Sequence, residues 1–258
     1  RALLPAATVA PMTNDDTHSP RRPHPIREVV MLSLACLSYS LLSYLAPVTK
    51  HGALAHAHDI ARFEARAGLF MEPGVNRWLS THPGLAQLAS IQYAATFFLM
   101  TGAALLILWI KAPAYYSRAR WTLVVMTLGA LVTYWTYPLA PPRLVDDFGV
   151  VDAVAHHTSS YSQLFGTLAN PYGAMPSMHT GWALWVAFML GTYVWRSWWA
   201  RVLLSIHPIL TVVTIIATGN HYVVDAAAAF VYFLLAWLFV TRIFRTLPSK
   251  VRTFRKTS

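Results

Sequence analysis

The stretch TGNHYVVDAAAAFVYFLLAWLFVT, residues 218–241, carries no charge from Ala226 to Thr241, yet opens on an imidazole at His221 and a carboxylate at Asp225. An apolar run of this kind reads as a helix able to cross a bilayer, which takes about 20 mainly apolar residues. Ionisable side chains at the head of such a helix are costly to keep there, so they default to a functional assignment. Working outward, the apolar pattern recurs at residues 29–46, 85–110, 121–140, 180–195 and 202–218, which makes six runs with the one at 226–241. The expected fold is all-α, an integral membrane bundle of six transmembrane helices. Residues 1–28, rich in Pro, Ala, Thr and Arg, are expected to be a disordered tail. Residues 29–244 form the membrane domain and residues 245–258 a second, basic tail.

Composition points the same way. Of the 258 residues 56% are hydrophobic and 12% charged, against about 25% charged in soluble domains. A net charge of +10 in so apolar a chain reads as basic loops facing anionic lipid headgroups, not as a nucleic-acid footprint. The single cysteine, Cys36, lies in an apolar run and offers no disulfide framework.

Fifteen of the 20 lysines and arginines fall on one side of a six-span topology: both termini, the 111–120 loop and the 196–201 turn. By the positive-inside rule both termini are cytoplasmic. The loops holding PPRL, PSMH and GNHYVVD then all face outward, so the unusual polar residues near span ends cluster on the extracytoplasmic face. The outer loop 53–78 has apolar residues at near-helical spacing and is expected to include a helix lying on the outer leaflet. His51, His56 and His58 read there as solvated loop histidines.

Three groups of residues carry the chemistry. His221 and Asp225 stand four apart, on one face of a helix; a carboxylate on one imidazole nitrogen fixes the tautomer and leaves the other nitrogen as nucleophile or base. Ser177, in Pro176-Ser177-Met178-His179, is a favoured helix cap, and the helix opening there is a ready anion site with His179 one turn inside. Arg143, after two prolines, matches phosphate oxygens in a bidentate way. Together they describe phosphoryl transfer without metal or cofactor. Arg143 and Ser177 hold the phosphate, His221 attacks phosphorus, Asp225 orients His221, and His179 protonates the leaving oxygen. Each group alone has a bland reading, as a structural pair, a cap or a snorkelling arginine; the set on one face carries the argument.

PSMH resembles the Pro-Ser-Gly-His core of the type 2 phosphatidic acid phosphatase superfamily, GNHYVVD its Gly-x-His-x-x-x-Asp motif and PPRL its arginine-bearing motif. The resemblance implies a six-span membrane enzyme with His221 as nucleophile, Asp225 as its partner, His179 as acid, and Arg143 and Ser177 as phosphate binders. Two departures stand out: Thr136 occupies the place of a usual Lys, and Thr214 and Ile215 that of a usual Ser-Arg. The sequence is more similar there to the branch of inositol phosphorylceramide synthases and sphingomyelin synthases, which implies a headgroup transferase as the alternative to a phosphatase. Asn220 and Tyr222, beside His221, are candidates for neutral phosphate donors.

Other readings stand beside it: an intramembrane serine protease using Ser177 and His221, a metal-dependent hydrolase on His179, His221 and Asp225, and a non-catalytic transporter or receptor. The expected partners are a lipid phosphate or phospholipid substrate and membrane lipids, in the plasma membrane. Trp182 and Trp185 are candidates for lining a tail groove, Trp195, Trp198 and Trp199 for interface anchoring. Gly102, Gly129 and Gly191 permit close helix packing, including that of a homodimer.

Overall fold

The computed structural model describes residues 22–154 and 170–246; the expectations for residues 1–21 and 247–258 lie outside the described residues. The fold is all-α, with no strand among the described residues. Nine α-helices are described: α1 (Pro25–Tyr44), α2 (Lys50–Arg66), α3 (Glu72–Ser80), α4 (Pro83–Ile91), α5 (Phe97–Lys111), α6 (Pro113–Thr136), α7 (Met178–Tyr193), α8 (Trp198–Ala217) and α9 (Val223–Thr246). Helices α4 and α5 run on through a π-helical turn, Gln92–Thr96.

Helix ends follow local chemistry. Proline opens α1, α3, α4 and α6 in the first two positions, where its missing N–H costs nothing. Thr49, Ser177 and Ser197 cap α2, α7 and α8 through side-chain oxygens. Helix α1 starts four residues before the expected span, because Glu28 in its first turn is buried against Arg120 of α6, with Nη1 2.5 and 2.6 Å from the two carboxylate oxygens. Helix α6 likewise begins at Pro113 rather than 121, and it stops at Thr136 because the residue before Pro138 disfavours helix. The segment expected to be an outer loop holds two helices, α2 and α3, parted at Gly68 (φ +69°).

Four helical segments are long and apolar enough to cross a membrane: Pro25–Tyr44, Pro83–Lys111, Trp198–Ala217 and Val223–Thr246. Helix α7, with 16 residues, and α6, which carries Arg118 and Arg120, fall outside that set. They are instead the inner helices. Helix α7 packs against α5, α6, α8 and α9, and α6 against α1, α5 and α9. The core between them holds Met126, Trp185, Met189 and Phe233. Trp185 is fully buried there and its Nε1 donates to the Ala119 carbonyl at 2.8 Å, so it is core and not groove. Trp182 bonds Thr127 and stacks on Phe97, whereas Trp195, Trp198 and Trp199 are exposed.

The outer helices turn apolar faces outward: Leu34, Leu37 and Leu41 on α1; Leu203, Ile209 and Val213 on α8; Val231, Leu235 and Phe239 on α9 are all exposed. Bands of this size on separate long helices are what lipid contact requires. The chain is a multi-pass membrane protein.

At one end of the bundle, loops knit into a platform. Leu139 N–H donates to Tyr172 O, Ala140 N–H to Ala53 O, Arg143 N–H to Gly219 O and Ser177 N–H to Asp225 O. These bonds bring the end of α6, the openings of α7 and α9, and the end of α8 under α2 and α3.

Candidate active site

Helix α8 closes through Gly219, at φ +69°, where a Cβ would collide with Val150. The N–H groups of Asn220 and His221 fold back on the Ile215 carbonyl, at 3.0 and 3.2 Å, which sets His221 against the end of α8.

The His221 ring is buried. Its Nδ1 lies 2.8 Å from the Ala174 carbonyl and 3.3 Å from Asp225 Oδ2. A carbonyl only accepts, so Nδ1 carries the proton and Nε2 keeps its lone pair. The tautomer expected from the His–Asp spacing is thus fixed by two acceptors, and the nearer is a backbone carbonyl. Asp225 is fully buried and its Oδ2 also accepts the Tyr222 N–H at 2.9 Å. Burial pushes the His221 imidazole down to about 3, with the Ala174 hydrogen bond opposing and the Arg143 charge adding to the fall. The ring is neutral at physiological pH.

His179 stands one residue inside α7, its ring centroid 5.8 Å from that of His221. Tyr93 stacks on one side of it at 4.1 Å, and Phe97 lies at 4.5 Å. Tyr93 comes from the π-helical turn, a feature frequent at functional sites. A small cavity lined by Tyr93, Phe97, His179, Ala183, His207 and Thr211 opens beside the ring.

Arg143 sits in a short 3₁₀ turn, with Nε 3.2 Å from Asp152 Oδ2. Its Nη1 is buried and has no hydrogen-bond partner, a donor an anion can take up. Asn76 of α3 holds the neighbouring strand of loop in place. Its Oδ1 accepts the Val151 N–H, and its Nδ2 donates to the carbonyls of Val151 and Ala217.

The remaining candidates have structural bonds. Ser177 is fully buried, and its Oγ accepts from the Thr180 N–H at 3.4 Å and stands 3.3 Å from the Thr180 hydroxyl. Asn220 Nδ2 turns back to Thr218 Oγ1 at 2.8 Å. The Tyr222 hydroxyl donates to Ala140 O at 3.1 Å. The structure therefore gathers His221, Asp225, His179 and Arg143, seats Ser177 as the cap between α7 and α9, and directs the side chains of Asn220 and Tyr222 into the scaffold. His56 is not a solvated loop histidine: it lies in α2, half-buried, with its ring stacked on Tyr137 and Nδ1 2.8 Å from Pro138 O. No cluster of three or more His, Cys, Asp or Glu residues able to hold a metal occurs among the described residues.

The profile of the PAP2 superfamily matches residues 58–239, most of the chain and a range that includes Arg143, Ser177, His179, His221 and Asp225. The chain belongs to the PAP2 superfamily. No curated protein and no solved structure gives a significant match. Membership of the PAP2 superfamily supports an enzyme of the phosphatase or phosphotransferase kind. Sequence reading missed Tyr93, Ala174, Asp152, Asn76 and two buried acids, Glu64 and Glu72. Of these only Glu64 left a trace, as an acid on the alanine stripe Ala53–Ala57–Ala61 of α2.

Proposed function

We propose that this PAP2 protein is a metal-independent lipid phosphatase or phosphotransferase that works through a phosphohistidine at His221 on the extracytoplasmic face. The observation that carries the reading is the His221 Nδ1–H bond to the Ala174 carbonyl, with Asp225 behind it. It leaves a neutral Nε2 on a ring whose centroid stands 5.8 Å from that of His179 and which feels the Arg143 charge.

The lipid's phosphate takes the free Arg143 Nη1. His221 Nε2 forms a bond to phosphorus, the bond to the leaving lipid oxygen breaks, and His179 gives that oxygen a proton. The incoming phosphate brings the negative charge that a protonated imidazole needs in a buried position. Asp225 balances the positive ring of the intermediate. Water or an alcohol then attacks phosphorus, His179 takes its proton back, and His221 is released neutral.

Six spans with both termini cytoplasmic complete the reading. In support, Glu28 pairs with Arg120 and Arg201 bonds Gly191 O at the end of the bundle away from His221, so the basic loops gather there. On this view α2 and α3 lie at the outer interface. The alternative is headgroup transfer between lipids, as in the inositol phosphorylceramide synthase type. It is favoured by neutral residues at Thr136, Thr214 and Ile215 and by burial of His221, which limits water.

The test is phosphate release by purified protein in detergent from phosphatidic acid, polyprenyl phosphate, polyprenyl diphosphate and phosphatidylinositol. Assays run with EDTA and with inositol or diacylglycerol as acceptor, beside a His221→Ala control. Release that survives EDTA and is lost in the control is expected. Transfer only with an acceptor present selects the alternative, and activity abolished by EDTA refutes the metal-independent reading.

A further inference from the structure

Glu64 and Glu72 are both fully buried, and the mechanism above does not use them. They lie on α2 and α3, yet their partners are at the head of α9. Glu72 Oε1 accepts the Val223 N–H at 3.0 Å and Glu64 Oε1 accepts the Val224 N–H at 2.7 Å. With Asp225 Oδ2 on the Tyr222 N–H, three carboxyl groups fill three successive amides, the last two residues before Asp225 and the one after His221.

A helix opening is usually capped by one side chain from the adjoining residue. Here two caps come from 151 and 160 residues earlier in the chain. They fix α9, and with it Asp225 and His221, to a separate pair of helices. The remaining oxygen of each, Glu64 Oε2 and Glu72 Oε2, is buried with no hydrogen-bond partner among the described residues. No salt bridge reaches either among the described residues. Two carboxylates so placed do not both ionise; one proton between them satisfies both oxygens. The pair then brings a single negative charge to the positive end of α9. An open helix N-terminus attracts phosphate. Filled by acids, this one turns the substrate's phosphate toward Arg143 and His179 instead.

We propose that Glu64 and Glu72 act as a proton-sharing pair of positioning residues that holds the head of α9 so that Asp225 and His221 meet in the reactive arrangement. The inference rests on the phosphotransfer reading. Burial pushes the Glu64 carboxyl up to about 8, opposed by the Val224 hydrogen bond and reinforced by the charges of Glu72 and Asp225, and burial raises Glu72 as well. The groups facing the pair are Asp225 on α9 and Tyr222 in the link before it. Asp225 disfavours a second negative charge and the neutral Tyr222 phenol, which donates to Ala140 O, offers it no compensation, so loss of the shared proton loosens the cap.

The test uses the full chain in detergent micelles with phosphatidic acid, comparing wild type, Glu64→Ala, Glu64→Gln and Glu72→Gln. Glu64→Ala is expected to lower kcat on the order of a hundredfold with little change in KM, the cost of a displaced reactive group. Glu64→Gln keeps an acceptor for Val224 and is expected to recover most of that loss. Wild-type kcat is expected to fall above about pH 8, where the shared proton leaves, and the fall is expected to vanish in Glu64→Gln. An unchanged kcat in Glu64→Ala, or an identical alkaline fall in Glu64→Gln, overturns the inference. Should Glu64→Ala not fold, the pH profiles of the two Gln variants decide alone. If wild type turns over no lipid phosphate at all, the functional reading fails on its own account. Hydrogen exchange at Tyr222–Asp225 then decides the inference: faster exchange in Glu64→Ala supports it, and unchanged protection overturns it.

Discussion

Replacing Asp225 by Asn separates two contributions to the state of His221. In Ser-His-Asp enzymes the carboxylate alone selects the imidazole tautomer, and its amide substitution costs about 10⁴ in kcat. Here the Ala174 carbonyl, at 2.8 Å, is nearer to Nδ1 than Asp225 Oδ2, at 3.3 Å. The carbonyl survives the substitution, so the tautomer survives with it. The Asn carbonyl also still accepts the Tyr222 N–H. What disappears is the negative charge beside the ring when it becomes cationic in the phosphorylated intermediate. A hydrogen bond to a charged group is worth about 1.5–3 kcal/mol, which at 1.4 kcal/mol per decade is a fall of roughly 10- to 150-fold in kcat. The assay is steady-state phosphate release for wild type, Asp225→Asn and His221→Ala, with circular dichroism to check folding. A loss in Asp225→Asn as deep as in His221→Ala would refute the reasoning, because it would make the carboxylate the sole orienting group. So would a loss under about twofold, which would leave the charge without a role.

Other consequences are open to direct measurement. Arg143→Ala is expected to cut kcat/KM by about 10- to 100-fold, and Arg143→Lys to restore little of it, because a point charge does not reproduce the guanidinium fork; Michaelis kinetics on a lipid phosphate check both. Gly219→Ala forces a Cβ onto Val150 at a positive φ and is expected to lose about 1–3 kcal/mol of stability, read as a lower thermal midpoint from tryptophan fluorescence. His221, held near 3 against 6.5 in the unfolded chain, binds its proton in the unfolded state first. Stability is therefore expected to decline as pH falls from 6.5 toward 3, with a smaller decline in His221→Gln, while His221 itself imposes no acid limb on kcat/KM above about pH 4.

The residues gathered at this end of the bundle were legible wherever a polar side chain interrupted an apolar run. His221 and Asp225 break an apolar run at a four-residue spacing, and Ser177 and His179 sit at a helix opening, so sequence alone set them at span ends. Their mutual approach followed from topology, since the end of α8 and the openings of α7 and α9 share one end of the bundle. Ala174 could not be found that way, because its contribution is a backbone carbonyl, which every residue has. Tyr93 reaches His179 only because a π-helical turn re-aims that part of the α4–α5 segment, and the sequence QYAAT carries no mark of it. Glu64 and Glu72 looked like ordinary acids of an amphipathic outer loop, since their partners are amides more than a hundred residues away. Asn220 and Tyr222 differ in the opposite sense: adjacency to His221 suggested donors, while Asn220 Nδ2 bonds Thr218 and the Tyr222 hydroxyl bonds Ala140 O in the scaffold.

The central claim is the covalent intermediate on His221. Its most direct test is to quench the enzyme in alkali during turnover of a lipid phosphate, where phosphohistidine survives, and to locate the phosphoryl group by peptide mass spectrometry. Phosphate on His221, absent in His221→Ala and accumulating in Asp225→Asn if dephosphorylation slows, is the expected result. Turnover with His221 unmodified, or with the phosphoryl group on Ser177, would contradict the account.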